Sequence, residues 1–438
     1  MGNYQKIDLP NQMAAYYIRM PNTHSVVISF FVRAGLRYEE PKHSGVSHLI
    51  EHLLFRRLDD LEQDQLYYEL ECMGTTLRAT TYVDFIRFYA EVLPQFAERT
   101  FQVMEKLFHG GRWIAEDIRK EKRVVINQIN ERPALFLDYC KLKYWAQSPL
   151  GNQIMGTVDK VSRISNATIL HYYLDFFQPQ NSAFVVSGNF DVQFEDYTRN
   201  KLCKLQNNSA AKLATDQIFP ENFCQRTSNN DVLVDTIGEY ADVRICFEAD
   251  HQRISRESVQ FIHSILGDGD GSKLSMLLRE ELGIVDEIYT ELESYHGFSL
   301  LTIQYDVTYD RILETIDLVY SVIISLMHEV GERDVNASLH FLTSNWIFDL
   351  DSPEALNFRY GWHSFVQCER FLHPEEESDR FRCIKPTELI EAAQELFKSE
   401  NLLTFISCNQ DFVKHSVIKR KLRNVRSLLG QASERSVI

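Results

Sequence analysis

The pattern of apolar and polar positions separates this chain into runs of strand and runs of helix. Ser25-Val-Val-Ile-Ser-Phe-Phe-Val-Arg-Ala-Gly35 is a near-continuous apolar run closed by glycine, which predicts a buried strand. From about residue 44 a helix follows, with Val46, Leu49, Ile50, Leu53, Leu54 and Phe55 distributed nearly all round it. The pattern then predicts a helix through Met73, strands near 75–83 and 85–93, and long helices near 94–109 and 115–131. The later chain repeats the order: a strand over Asp242-Val-Arg-Ile-Cys-Phe-Glu248, helices near 254–267 and 272–282, strands near 286–307, then helices. Runs of strand segregated from runs of helix predict an α+β fold, each sheet mostly antiparallel with helices packed on one face.

Two distant segments look like copies. Thr168-Ile-Leu-His-Tyr-Tyr-Leu-Asp-Phe-Phe-Gln-Pro-Gln-Asn181 leads into Ser182-Ala-Phe-Val-Val-Ser-Gly-Asn-Phe-Asp191. Thr387-Glu-Leu-Ile-Glu-Ala-Ala-Gln-Glu-Leu-Phe-Lys-Ser-Glu-Asn401 leads into Leu402-Leu-Thr-Phe-Ile-Ser-Cys-Asn-Gln-Asp411. Each reads as a helix, an Asn turn, an apolar strand and a polar stop, and their starts lie 219 residues apart, half the chain. The expected organisation is therefore a duplication: a domain over 1–205, a polar connector over 206–230 rich in Asn, Ser and Thr, and a homologous domain over 231–438.

Composition narrows the classes. A chain of 438 residues exceeds one ordinary core. The net charge of −16 and the lack of a Lys/Arg-rich run argue against nucleic acid as a partner. No window approaches the roughly 20 apolar residues of a membrane helix, so no membrane partner is expected. The start Met-Gly-Asn-Tyr-Gln-Lys lacks the apolar core of a secretory signal, and a cytoplasmic location is expected. Eight scattered cysteines without a C-x-x-C pair read as reduced core thiols rather than a disulfide framework.

The chemistry is concentrated in Ser47-His48-Leu49-Ile50-Glu51-His52. H-x-x-E-H on one helix places His48 and His52 about one turn apart on one face, with Glu51 beside them. The bland alternative is the solvated side of an amphipathic helix. Apolar residues surround these three on nearly every side, however, and buried polar groups need partners. A metal ion satisfies both imidazoles at once.

Further stretches extend the motif. They are Val32-Arg-Ala-Gly-Leu-Arg-Tyr-Glu-Glu-Pro-Lys-His-Ser-Gly-Val-Ser-His-Leu-Ile-Glu-His-Leu-Leu-Phe55, Met73-Gly-Thr-Thr-Leu-Arg-Ala-Thr-Thr81, Glu121-Lys-Arg-Val-Val-Ile-Asn-Gln128 and Gly267-Asp-Gly-Asp-Gly-Ser-Lys-Leu-Ser-Met-Leu-Leu-Arg-Glu-Glu-Leu-Gly283. In order and spacing they resemble the pitrilysin family of inverted-motif zinc peptidases, which includes insulysin, the mitochondrial processing peptidases and small bacterial members. The resemblance spans essentially the whole chain. It implies two similar α+β halves enclosing a peptide chamber, a Zn²⁺ cofactor, His48 and His52 as ligands, and Glu51 as the general base that deprotonates the attacking water. It also implies that Glu121 supports a histidine ligand from behind.

Three positions depart from the family pattern. Where the third ligand should be a glutamate, seven residues after Glu121, the chain has Gln128, a neutral and weaker zinc ligand. The substrate-clamping pair is an Arg followed seven residues later by a Tyr; Arg279 is present, but the second position is Asp286 and the next tyrosine is Tyr289. The substrate-pairing edge strand usually reads Leu-Asn-Ala and here reads Leu77-Arg78-Ala79, with Arg78 and Ala79 as the substrate-contacting residues. The expected function is a zinc endopeptidase subunit that processes a short peptide or leader-bearing precursor, with a homologous partner subunit or as a homodimer. The alternative is a catalytically impaired homologue that binds peptide or supports a partner.

Overall fold

The structure, a computed structural model, describes residues 3–132, 136–145, 148–208 and 231–435. Two compact units divide the chain: Met1–Thr227 with Phe348–His373, and Ser228–Ile347 with Pro374–Ile438. Residues 348–373 thus group with the first unit although they follow the predicted connector. That connector lies outside the described residues from position 209 to position 230.

The first unit contains strands β1 (Asn3–Asp8), β2 (Ala14–Arg19), β3 (Val26–Val32), β4 (Arg78–Thr81), β5 (Ile86–Val92) and β6 (Ser182–Gly188). They form one sheet in the order β1-β2-β6-β3-β5-β4, antiparallel except for the β2–β6 pair. Val26, Ile28, Phe30 and Val32 of β3 alternate into a core shared with helices α1 (Val46–Arg56), α2 (Ala115–Glu131) and α3 (Asn166–Phe176). The period-two alternation decides which face each side chain joins.

In the second unit β7 (Asp231–Asp235), β8 (Tyr240–Asp250), β9 (Ile288–Tyr295), β10 (Phe298–Thr308) and β11 (Leu402–Cys408) form a sheet ordered β9-β10-β8-β11-β7. Helices α4 (Arg256–Gly267) and α5 (Pro386–Leu396) contribute to its core. Read from the other end, this order reproduces β2-β6-β3-β5-β4 of the first unit, including a parallel pair at the same place. The mixed α+β architecture in two like halves agrees with the sequence expectation.

The paired Asn turns have one physical job. Asn181 Nδ2 donates to the Phe176 carbonyl at the end of α3 (2.8 Å), while its own carbonyl accepts from Arg33 N (3.1 Å). Asn401 Nδ2 likewise donates to the Leu396 and Glu395 carbonyls at the end of α5 (3.2 and 2.9 Å), and its carbonyl accepts from Glu248 N (3.1 Å). In each half the asparagine satisfies otherwise orphaned helix carbonyls and ties the turn to the central strand.

The second face of the first sheet is also partly covered. Helix Pro353–Tyr360 lies over it, and Asn357, fully buried, donates through Nδ2 to the Val27 and Val185 carbonyls, both at 3.0 Å. Arg87 donates to Asn357 Oδ1 (3.0 Å) and pairs with Glu354 (2.6 Å). This explains how residues 348–373 join the first unit. Among the described residues no helix is long and apolar enough to cross a membrane, and the seven described cysteines form no disulfide with one another.

Candidate metal centre

Helix α1 begins at a backbone position that requires glycine. Gly45 has φ +96°, and a Cβ there would lie 2.6 Å from the Met155 carbonyl oxygen. Glycine offers no capping side chain, so Glu39 supplies the cap from outside the helix. Its carboxylate accepts from Gly45 N (2.8 Å), from Ser47 N (2.9 Å) and from the Ser47 hydroxyl. Burial pushes the Glu39 carboxyl up to about 7, against the lowering effect of those bonds from Ser47 and Gly45 and of the nearby His48.

Leu49 and Leu53 of α1 and Ile118 and Val125 of α2 belong to one buried cluster. Polar contacts fix the register of the two helices. Arg57, which follows α1, pairs with Asp117 at the start of α2 (3.0 Å). One turn back, His52 Nδ1 lies 3.4 Å from Glu121 Oε2, and one turn further His48 Nε2 lies 3.2 Å from Gln128 Oε1. The helices therefore run antiparallel along this seam. Glu121, Val125 and Gln128 share a stripe of α2 because they are spaced by four and then three residues. Glu131, one turn further on, is exposed, and it is Gln128 that meets His48.

The two imidazoles meet edge to face, their centroids 4.7 Å apart. The side chains of His48, Glu51 and His52 are only 13–17% exposed, enough for a small reactant and too little for three unpartnered polar groups. Glu51 Oε2 lies 3.6 Å from His48 Nδ1 and accepts a 2.5 Å hydrogen bond from Thr81 Oγ1 at the end of β4. Burial alone pushes the Glu51 carboxyl up. The bonds from His48 and Thr81 and the charges of both histidines outweigh burial and hold it below the usual carboxylate range.

The donor set fits a zinc ion. Glu121 beside His52 Nδ1 favours the proton on that nitrogen and leaves Nε2 its lone pair. His48 Nε2 and Gln128 Oε1 face each other across the helix pair. Two imidazole nitrogens and one amide oxygen suit Zn²⁺, although an amide binds it more weakly than a carboxylate. Among the described residues no group of three His, Cys, Asp or Glu side chains is placed to hold a metal, and the third donor that the geometry offers is the Gln128 amide.

The other sequence-predicted residues fall in two places. Arg78 and Ala79 lie on β4, which ends the first sheet; among the described residues it pairs only with β5, and its outer backbone edge is open. Arg78 is exposed, without an ion-pair partner among the described residues, and lines a cleft of about 590 Å³ with Tyr89, Glu71 and Glu91. Ala79 packs on the opposite face, toward the core that α1 shares. Arg279 belongs to the second unit, where it is half-exposed on a π-helical segment, 3.6 Å from the neighbouring Glu280. Asp286 and Tyr289 are both exposed. Sequence reasoning missed Glu39 and Thr81, although both lie inside stretches that carried the resemblance.

Comparison with known proteins gives the family. Residues 15–158 match the family described as Insulinase (Peptidase family M16), and residues 163–342 match the Peptidase M16 inactive domain. An uncharacterized zinc protease of Rickettsia felis is 22% identical over 414 residues, covering 93% of this chain and 98% of its own length. The uncharacterized zinc protease YmxG of Bacillus subtilis is 21% identical over 351 residues, covering 78% and 83%. A protease from Helicobacter pylori superposes with a TM-score of 0.79 at 15% identity, covering 93% of this chain and all of its own. A peptidase M16 inactive domain from Pseudomonas fluorescens gives 0.81 at 12% identity, covering 93% and 98%.

Proposed function

Because the chain belongs to the insulinase family, peptidase family M16, we propose that it is a zinc-dependent endopeptidase subunit. Its substrate is a short peptide or leader-bearing precursor, and its partner is a homologous subunit. The observation that carries this reading is the antiparallel seam that brings His48, His52, Glu51, Glu121 and Gln128 together in a half-buried setting.

His48 and His52 hold the metal through nitrogen, with Gln128 Oε1 as a weak third ligand. When bound, zinc supplies Lewis acidity that polarises water and the peptide carbonyl. Glu51 is ionised at neutral pH, because its carboxyl lies below the usual range. Thr81 occupies its Oε2, which leaves Oε1 to take a proton from the attacking water and return it to the departing amine. Glu121 keeps His52 in one tautomer. The open edge of β4 at Arg78 and Ala79 accepts the peptide backbone as an added strand, which presents the bond to be cleaved in extended form. The resemblance adds Arg279 as a substrate contact.

Gln128 supports a second reading, a catalytically impaired homologue that binds peptide or supports a partner. One variant separates the two. Glu51→Gln leaves both histidines and the β4 edge intact, so peptide binding survives while turnover with the partner falls by roughly a hundredfold or more, the scale for losing a positioned base. Cleavage undiminished in this variant contradicts the enzyme reading.

A further inference from the structure

We propose that Thr81 is a positioning residue that holds the Glu51 carboxylate in the base position and keeps it out of the metal's coordination shell. The inference rests on the zinc reading above and goes beyond it to what keeps the base off the metal. Thr81 ends β4, is 7% exposed, and directs its hydroxyl at Glu51 Oε2 from 2.5 Å. Its backbone is fixed by pairing with Ile86 of β5, and a β-branched side chain has few rotamers to explore. Glu51 sits between the two histidines on α1, and its Oε2 is 3.6 Å from the His48 ring.

This chain has a particular need for such an anchor. Where a carboxylate third ligand already satisfies the metal, a neighbouring glutamate has little to gain by coordinating. Here the third donor is the neutral amide of Gln128, and among the described residues no His, Cys, Asp or Glu triplet competes for the ion. With the Glu121 carboxylate paired to His52 Nδ1 from behind, the Glu51 carboxylate is the strongest oxygen donor left beside the imidazoles. A carboxylate drawn onto the metal is less basic and is turned away from the water it must deprotonate, so coordination competes with the base role. The Thr81 hydrogen bond decides between them. It also anchors the base on α1 to the four-residue strand that carries the open substrate-pairing edge.

Zinc affinity reads this out without any substrate. The full chain and its variants are titrated with zinc against a chromophoric chelator. Thr81→Val keeps the side-chain shape and removes the donor, so Glu51 turns onto the ion and affinity rises by about tenfold, the lower end of what outer contacts to metal ligands exert. Thr81→Ser restores the donor and returns affinity to the parent value. Thr81→Val combined with Glu51→Gln abolishes the rise, because no carboxylate remains to move. Should the valine variant fold poorly, Thr81→Ala carries the same expectation. A purely structural role predicts unchanged or weaker binding in the variants without the hydroxyl, and that result overturns the inference, as does a rise that persists without Glu51. A parent chain that binds no zinc overturns the peptidase reading itself along with the inference. A parent that binds zinc while its hydroxyl-free variants bind no tighter removes the inference alone.

Discussion

Gln128 differs from the carboxylate expected at its position by one amide group, and that difference governs the charge of the centre. Its oxygen stands 3.2 Å from His48 Nε2, so Gln128→Glu would place an anion where the neutral donor now stands. Zinc affinity should rise by about tenfold or more in a competition titration, the range by which groups around a metal tune its binding. Unchanged affinity would put the third ligand elsewhere. The pair of histidines and the glutamate between them were legible in the sequence because their spacing is a property of one helix. Glu121 and Gln128 were legible only through the resemblance, since their distance from α1 depends on how two helices pack. Thr81 escaped detection because nothing in a Thr-Thr pair on an edge strand shows that one hydroxyl meets a glutamate 30 residues earlier.

At the scale of elements, most strands and helices were readable from apolar periodicity. Their ends shifted by a few residues, where caps rather than hydrophobicity decide. Helix α1 shows why: its start is set by Gly45 and by Glu39, a cap contributed from outside the helix. Glu39 also makes the stability of this helix depend on pH. Burial raises its folded value to about 7 from an ordinary 4.5, so between those values the folded chain holds a proton that the unfolded chain releases. Its contribution to stability is therefore fully present below about 4.5 and is lost as pH rises through about 7. Glu39→Gln should flatten that part of the profile of unfolding midpoint against pH, and Glu39→Ala should cost about 1 to 2 kcal/mol as a lost cap. A profile unaltered by Glu39→Gln would remove this role.

Over the whole molecule, the duplication was visible because the two Asn turns perform the same bonding in each half. The return of residues 348–373 to the first unit was not visible, since Asn357 and Arg87 meet across 270 positions and such contacts leave no local pattern. The halves differ in chemistry: the first carries the histidines, and the second has Asp286 where a substrate-clamping tyrosine is expected. The isolated chain should therefore cleave test peptides poorly and gain turnover when mixed with a homologous subunit that has the Arg and Tyr. Cleavage and mass in solution, followed together, check this, and full activity as a lone monomer would contradict it. The metal remains the premise of all of these expectations. Elemental analysis of the full chain, equilibrated with excess zinc and then freed of loosely held ions, should find one zinc per parent chain and almost none in His48→Ala. A parent without stoichiometric zinc, or a His48→Ala chain that retains it, would contradict the account.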